Sequence, residues 1–277
     1  MADITAGTRE AFRPRFHARV LRDGRTLYWW VEATVIVVFY LVYTAIRNAN
    51  EGGEVEAFAN ARDLIGWERA MGLYFEETLQ DWFLNVKPVI VAMNYFYGSL
   101  HFLVTAGAII WLFRRHTDDY PRMRNTLAIT TGLALVGFVA WPLMPPRLLP
   151  ESYSYVDTLA RYPTIWSFNS GGMQEISNQF AAMPSLHFGW SLFCAVALAP
   201  RVQRRWAQIA FALYPALTLF AIVVTGNHYW LDAVGGAVIF GVGYVVAHRF
   251  TRAGRGAPVA ERDAGGDPGR DPEPAAV

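Results

Sequence analysis

A chain of 277 residues that is 53% hydrophobic, 15% aromatic and only 17% charged is too apolar for an ordinary soluble domain. A formal net charge of +1 leaves no basic field to attract a nucleic acid. The composition points to an all-α, polytopic membrane helix bundle, with six transmembrane helices and further amphipathic helices on its outer face.

Residues 1–26 carry six Arg and run into Tyr28, Trp29 and Trp30, an aromatic interface belt. They read as a basic cytoplasmic leader that either rests on anionic headgroups or serves only as a topology signal. The leader is too polar for a cleavable signal peptide, so the first span is expected to act as an uncleaved anchor. A bilayer core takes roughly 20 mostly apolar residues per helix. Stretches near that length occur at 29–46, 89–113, 127–144, 206–225 and 228–247, with a shorter one at 184–199. The short helix is expected to start beneath the surface, which would recess Ser185 and His187 into a pocket.

Between residues 47 and 87, Leu64, Ile65, Trp67, Met71, Tyr74, Phe75, Leu79, Trp82 and Phe83 recur at roughly helical spacing. Glu68, Glu76, Glu77 and Asp81 fall among them. Amphipathic helices are predicted here, framing a lipid entrance or covering the bundle. In the second span Asn94, Tyr97 and His101 share one helix face, as pocket residues or as a buried trio that joins helices. The third span ends at Trp141-Pro142-Leu143-Met144-Pro145-Pro146-Arg147, where prolines stop the helix. Arg147 either snorkels or offers its planar fork to a phosphate. The loop 148–182 carries Tyr153, Tyr155, Tyr162, Trp166, Phe168 and Phe180, which predicts a partly ordered aromatic cap.

Met183-Pro184-Ser185-Leu186-His187 then heads an apolar run, with proline expected at a first helical position. The amino end of such a helix binds anions through its unpaired N–H groups and positive dipole end. Gly226-Asn227 is the tightest turn, and His228 and Asp232 follow four apart on one helix face beside Tyr229. Taken alone, that pair is a structural hydrogen bond or half a metal site. Cys194 is the sole cysteine, so neither a disulfide framework nor a Cys-based metal site is expected. Residues 251–277, rich in Gly, Pro, Ala and mixed charge, predict a disordered cytoplasmic tail. The chain thus divides into a leader (1–26), a six-span membrane catalytic domain (27–250) and a tail (251–277).

Lys and Arg number sixteen in one set of alternate connections and six in the other, which by the positive-inside bias puts both termini in the cytoplasm. Arg147, Ser185, His187, His228 and Asp232 then all fall at outer ends of spans. Together they supply the parts of a phosphoryl-transfer site. A histidine held by a carboxylate is a nucleophile, a second histidine moves protons, and Arg, Ser and a helix end hold the phosphate oxygens. No metal or other cofactor is required by that scheme.

At these residues the sequence resembles the type 2 phosphatidic acid phosphatase superfamily of membrane lipid phosphatases and phosphotransferases. More narrowly, it is similar to the inositol phosphorylceramide synthase (inositolphosphotransferase) branch and its bacterial relatives. The superfamily pattern has a Lys and Arg-Pro element, a Pro-Ser-Gly-His element, and a Ser-Arg element followed by His-x-x-x-Asp. In the narrower branch the middle element reads Met-Pro-Ser-Leu-His, as at 183–187, and the last reads His-Tyr-x-x-Asp, as at His228, Tyr229 and Asp232. Pro146-Arg147 stands for the first. The Lys of the broader pattern falls on Ala140 and the Arg of its last element on Ile222, so Arg147 is the one evident cation.

The resemblance implies His228 as nucleophile, Asp232 as its orienter, His187 as general acid and then base, and Arg147 with Ser185 as phosphate ligands. Asn94, Tyr97, His101, Asn227 and Tyr229 are candidates for the substrate pocket. The implied partners are the bilayer, a membrane lipid carrying a phosphate or phosphodiester, and an alcohol acceptor such as inositol or a lipid alcohol. A transporter with a proton-coupling His pair is the competing class, but it predicts midplane polar residues in related halves. Metal-dependent hydrolysis by His187, His228 and Asp232 lacks a further ligand.

Overall fold

The computed structural model describes residues 18–49, 53–162 and 179–253. Residues 254–277 of the expected tail, most of the leader and the loop residues Trp166 and Phe168 lie outside them, while 251–253, expected as disordered tail, continue the last helix. The leader's described end is an antiparallel hairpin of β1 (Ala18–Val20) and β2 (Thr26–Tyr28), an element absent from the all-α expectation. Gly24, at φ +82°, makes its turn, a conformation that glycine adopts without a Cβ clash.

The other named elements among the described residues are helices. α1 (Trp29–Ala49) leads through α2 (Glu54–Ala70) and α3 (Glu76–Leu84) to α4 (Lys87–Tyr95). A π-helical turn, Phe96–Leu100, joins α4 to α5 (His101–Arg115). Then come α6 (Tyr120–Ala140), the short α7 (Thr158–Arg161), α8 (Leu186–Leu198), α9 (Arg205–Val224) and α10 (Trp230–Ala253). Among the described residues five helical stretches are long and apolar enough to cross a membrane, α4 through α5 counting as one of 29 residues. The sixth expected span, α8, is 13 residues and falls short of that length.

α8 is nonetheless the hub of the bundle, packed against α5, α6, α9 and α10. Its sequence explains the placement: after His187 it is apolar on every side, with small residues, Gly189, Ser191, Cys194, Ala195 and Ala197, that let neighbouring backbones come close. The closest approach is to α10, where a Cβ on Gly236 would collide with the Ser185 carbonyl and stand 3.2 Å from the Gly189 nitrogen. Phe193 and Cys194 of α8 share a core with Leu112, Met123, Tyr214 and Phe240.

α1 lies at the periphery with Val35 to Val38 exposed, a face suited to lipid. It is held at its start by Glu32, which accepts from Tyr120 at 3.1 Å and pairs with Arg124. Farther along, Tyr43 packs on Ala134 and Phe138 of α6. α2 buries the stripe Ala57, Ala61, Leu64 and Ile65 against Leu143, Met144 and Tyr229. α6 stops at Ala140, earlier than the expected 144, because Pro142 cannot continue it. The chain beyond is tied down instead: Leu143 N–H donates to Phe180, Met144 N–H to Ala57, and the Asn60 amide to the Pro142 carbonyl.

Candidate active site

At one end of the bundle the C-terminal part of α1, the π-helical turn, the head of α8 and the turn before α10 surround a cavity of about 410 Å³. Tyr97, His101, Arg147, His187, Asn227 and His228 line it on the bundle side, and Tyr40, Tyr43, Thr44 and Arg47 of α1 on the other.

His228 is placed by a helix terminus. α9 ends with Thr225, and Gly226 follows at φ +68°, the left-handed residue of a Schellman ending. Gly226 N–H donates to Val223 and Asn227 N–H to Ile222. A side chain at 226 would also meet Gln80 Nε2 at 2.9 Å. α10 begins two residues after His228, and its first turn returns Asp232 beneath the imidazole, with His228 Nδ1 3.2 Å from Asp232 Oδ2. Both side chains are buried, and Asp232 wholly so.

His187 occupies the first turn of α8, its ring 5.7 Å from that of His228, centre to centre. Tyr97 stacks on it at 4.1 Å and His101 stands 4.9 Å away. His187 Nε2 is buried with no hydrogen-bond partner among the described residues. Arg147 reaches the same space because its backbone N–H donates to the Gly226 carbonyl, which ties it to the turn carrying His228. Its Nε donates to Asn227 Oδ1 and its Nη1 to Asp157 Oδ2, each at 3.1 Å. Asp157 accepts from Leu159 and Ala160 with its other oxygen, capping α7.

The structure therefore brings together His187, His228, Asp232, Arg147, Tyr97, His101 and Asn227. Three expected pocket or ligand residues stand elsewhere. Ser185, wholly buried, caps α8 through the Phe188 N–H and donates its own N–H to the Asp232 carbonyl. It supports Asp232 and does not line the cavity, and Pro184 precedes this cap, so it lies outside the helix. Tyr229 points into the α2 core with its hydroxyl on the Met144 carbonyl. Asn94 exchanges hydrogen bonds with Thr158, both at 2.9 Å. The reason is the π-helical turn: its wider winding rotates the face after Phe96, so residues that share a face in a regular helix part company.

Two contributors went unread in the sequence. The amides of residues 229, 230 and 231, at the head of α10, each meet a carboxylate, from Asp232, Glu76 and Glu68 respectively, at 3.0 to 3.2 Å. Glu68 and Glu76 are wholly buried side by side. Burial, and then the neighbouring Glu76 charge, push the Glu68 carboxyl up to about 9, so it carries a proton at neutral pH. Arg47, from α1, is the second. Among the described residues no three His, Cys, Asp or Glu side chains assemble as a metal-ligand group.

Two histidines facing one cavity, one of them held by a carboxylate, with a guanidinium beside them, form an arrangement suited to phosphoryl transfer. Neither a curated protein nor a solved structure matches the chain. The family model described as PAP2 superfamily matches residues 62–246, more than half of the sequence. That segment carries Arg147, His187, His228 and Asp232, and the chain belongs to the PAP2 superfamily, that of the type 2 phosphatidic acid phosphatases.

Proposed function

We propose that this protein is a lipid phosphatase or phosphotransferase that works through a phosphohistidine on His228. The observation that supports the reading best is the pair of imidazoles 5.7 Å apart on one cavity wall, with Asp232 behind one of them. With the Asp232 carboxylate accepting from Nδ1–H, the Nε2 lone pair of His228 is free to attack phosphorus. The bond from phosphorus to the lipid oxygen breaks, and His187 gives that oxygen a proton. Arg147 stabilises the charge on the remaining oxygens. His187 then takes a proton from water or from an alcohol, whose oxygen attacks the phosphohistidine and releases His228.

Water gives hydrolysis and an alcohol gives transfer. The Met-Pro-Ser-Leu-His and His-Tyr-x-x-Asp elements of the inositol phosphorylceramide synthase branch favour transfer of a phosphate-bearing headgroup to an alcohol, inositol or a lipid alcohol. The charge bias of the connections supports six crossings, with α8 as the recessed fourth, both termini in the cytoplasm and the cavity at the outer face.

The test is purified protein offered lipid phosphates and phospholipid donors, with and without candidate alcohols, scoring free phosphate separately from new lipid. His228→Ala should lower turnover by roughly three orders of magnitude or more while the protein elutes and melts as the parent does. Parental turnover in that variant would overturn the assignment.

A further inference from the structure

The cavity's charges do not suit the anion it is proposed to take. Among the described residues Arg147 is its one arginine or lysine from the family-matched segment, and Asp157 already pairs with it at 3.1 Å. Asp232 adds a carboxylate directly behind His228. A phosphate mono- or diester brings one or two further negative charges into a site where burial makes unpaired charge costly. A further fixed cation would lower that cost, and α1, outside that segment, carries one at the cavity wall.

α1 lies there, and it is anchored against the bundle at two heights, by Glu32 on Arg124 and Tyr120 and by Tyr43 on Ala134 and Phe138. That anchoring brings its last turn, with Arg47, to the cavity wall beside Tyr43 and Thr44. The Arg47 guanidinium carbon stands 5.8 Å from the centre of the Tyr43 ring, within cation–π range. Arg47, Tyr97 and Arg147 all line this cavity. Tyr97 in turn stacks on His187 at 4.1 Å. Two arginines, from chain segments about a hundred residues apart, thus line the cavity that holds the His187 ring.

We propose that Arg47 is a second anion-binding residue of this cavity, contacting the phosphate-bearing group that Arg147 and the histidine pair hold. The inference rests on the phosphoryl-transfer reading and gives α1 a part in substrate binding besides its part in the membrane. The ligand class is a phosphate monoester or diester anion, and inorganic orthovanadate serves as its probe.

Orthovanadate binding to the purified full chain would be followed by calorimetry, and its inhibition of lipid phosphate turnover measured in parallel. Arg47→Gln should weaken binding and raise KM roughly ten- to hundred-fold. Arg47→Lys should recover part of this, as a point charge without the planar fork. Arg62→Gln, an exposed cation on α2, should change neither. A second measurement needs no variant: saturating orthovanadate should shield Arg47 of the parent protein from an arginine-selective dicarbonyl, read by mass spectrometry. Unchanged binding in Arg47→Gln, or equal modification with and without orthovanadate, would overturn the role of Arg47 and leave the histidine mechanism standing. Full activity of His228→Ala, with no orthovanadate binding to the parent, would overturn both.

Discussion

Three carboxylates meet the first turn of α10, and only Asp232 belongs to that helix. Glu76 and Glu68 arrive from 154 and 163 positions away to accept from the amides of Trp230 and Leu231. Helix amino ends leave such N–H groups unpaired, so these acids fix the start of the helix that carries Asp232. Glu68 makes folding pH-dependent. Its carboxyl is raised from the ordinary 4.5 to about 9, so the folded chain keeps a proton that the unfolded chain has lost between those values. Stability is therefore full below about 4.5 and falls as pH rises toward about 9. Glu68→Gln, which mimics the protonated carboxyl, should flatten that fall, so that its melting temperature gains on the parent's from pH 5 to pH 9. A parallel pair of melting curves would contradict the raised value. His187, His228, Asp232 and Arg147 were legible because short motifs carry their chemistry. Glu68 and Glu76 were not, because the amphipathic pattern assigns them to water and only the arrival of α10 from far along the chain buries them. Asp157 was missed for a like reason: nothing local marks it as the partner of Arg147.

At the scale of elements, the crossing of α8 and α10 sets the spacing between the two histidines. Ser185 and Gly189 on one helix meet Gly236 on the other, and the Ser185 N–H is bonded to the Asp232 carbonyl at 2.8 Å. A methyl group at 236 has no room. Gly236→Ala should push the helices apart, cost about 1–3 kcal/mol of stability and lower turnover through displacement of Asp232. Denaturant unfolding and activity read these together, and parental values of both would contradict the crossing. That the head of α8 borders a cavity is in line with the motif at 183–187. Its cap was not legible there, since Pro184 can be read as a first helical residue until the Ser185 bond to Phe188 N–H shows where the helix starts. The π-helical turn was invisible as well. Sequence periodicity assumes regular winding, and that assumption put Asn94 on the face of Tyr97 and His101 when it instead holds α7.

Across the whole molecule, hydropathy located the apolar helices well, because lipid and buried protein both demand long apolar runs. Length alone could not place α8, whose status as a crossing depends on its neighbours. Orientation is testable directly. With the cavity at the outer face, a cysteine at the exposed position 152 in a Cys194→Ala background should react with an impermeant thiol reagent added to intact cells. Labelling only after lysis would contradict the orientation drawn from sixteen basic residues against six. The contribution of α1 is also a property of the whole chain. It lies before the matched residues 62–246, yet it forms one wall of the cavity.

The covalent step is the central claim, and trapping it is the most direct measurement. Protein quenched within milliseconds of mixing with a phosphate-labelled lipid substrate should carry label on one histidine, stable to alkali and released by acid, mapping to the peptide with His228. His187→Ala should accumulate less label or lose it more slowly, and His228→Ala should carry none. Label on another residue, or turnover without label at any quench time, would contradict the account.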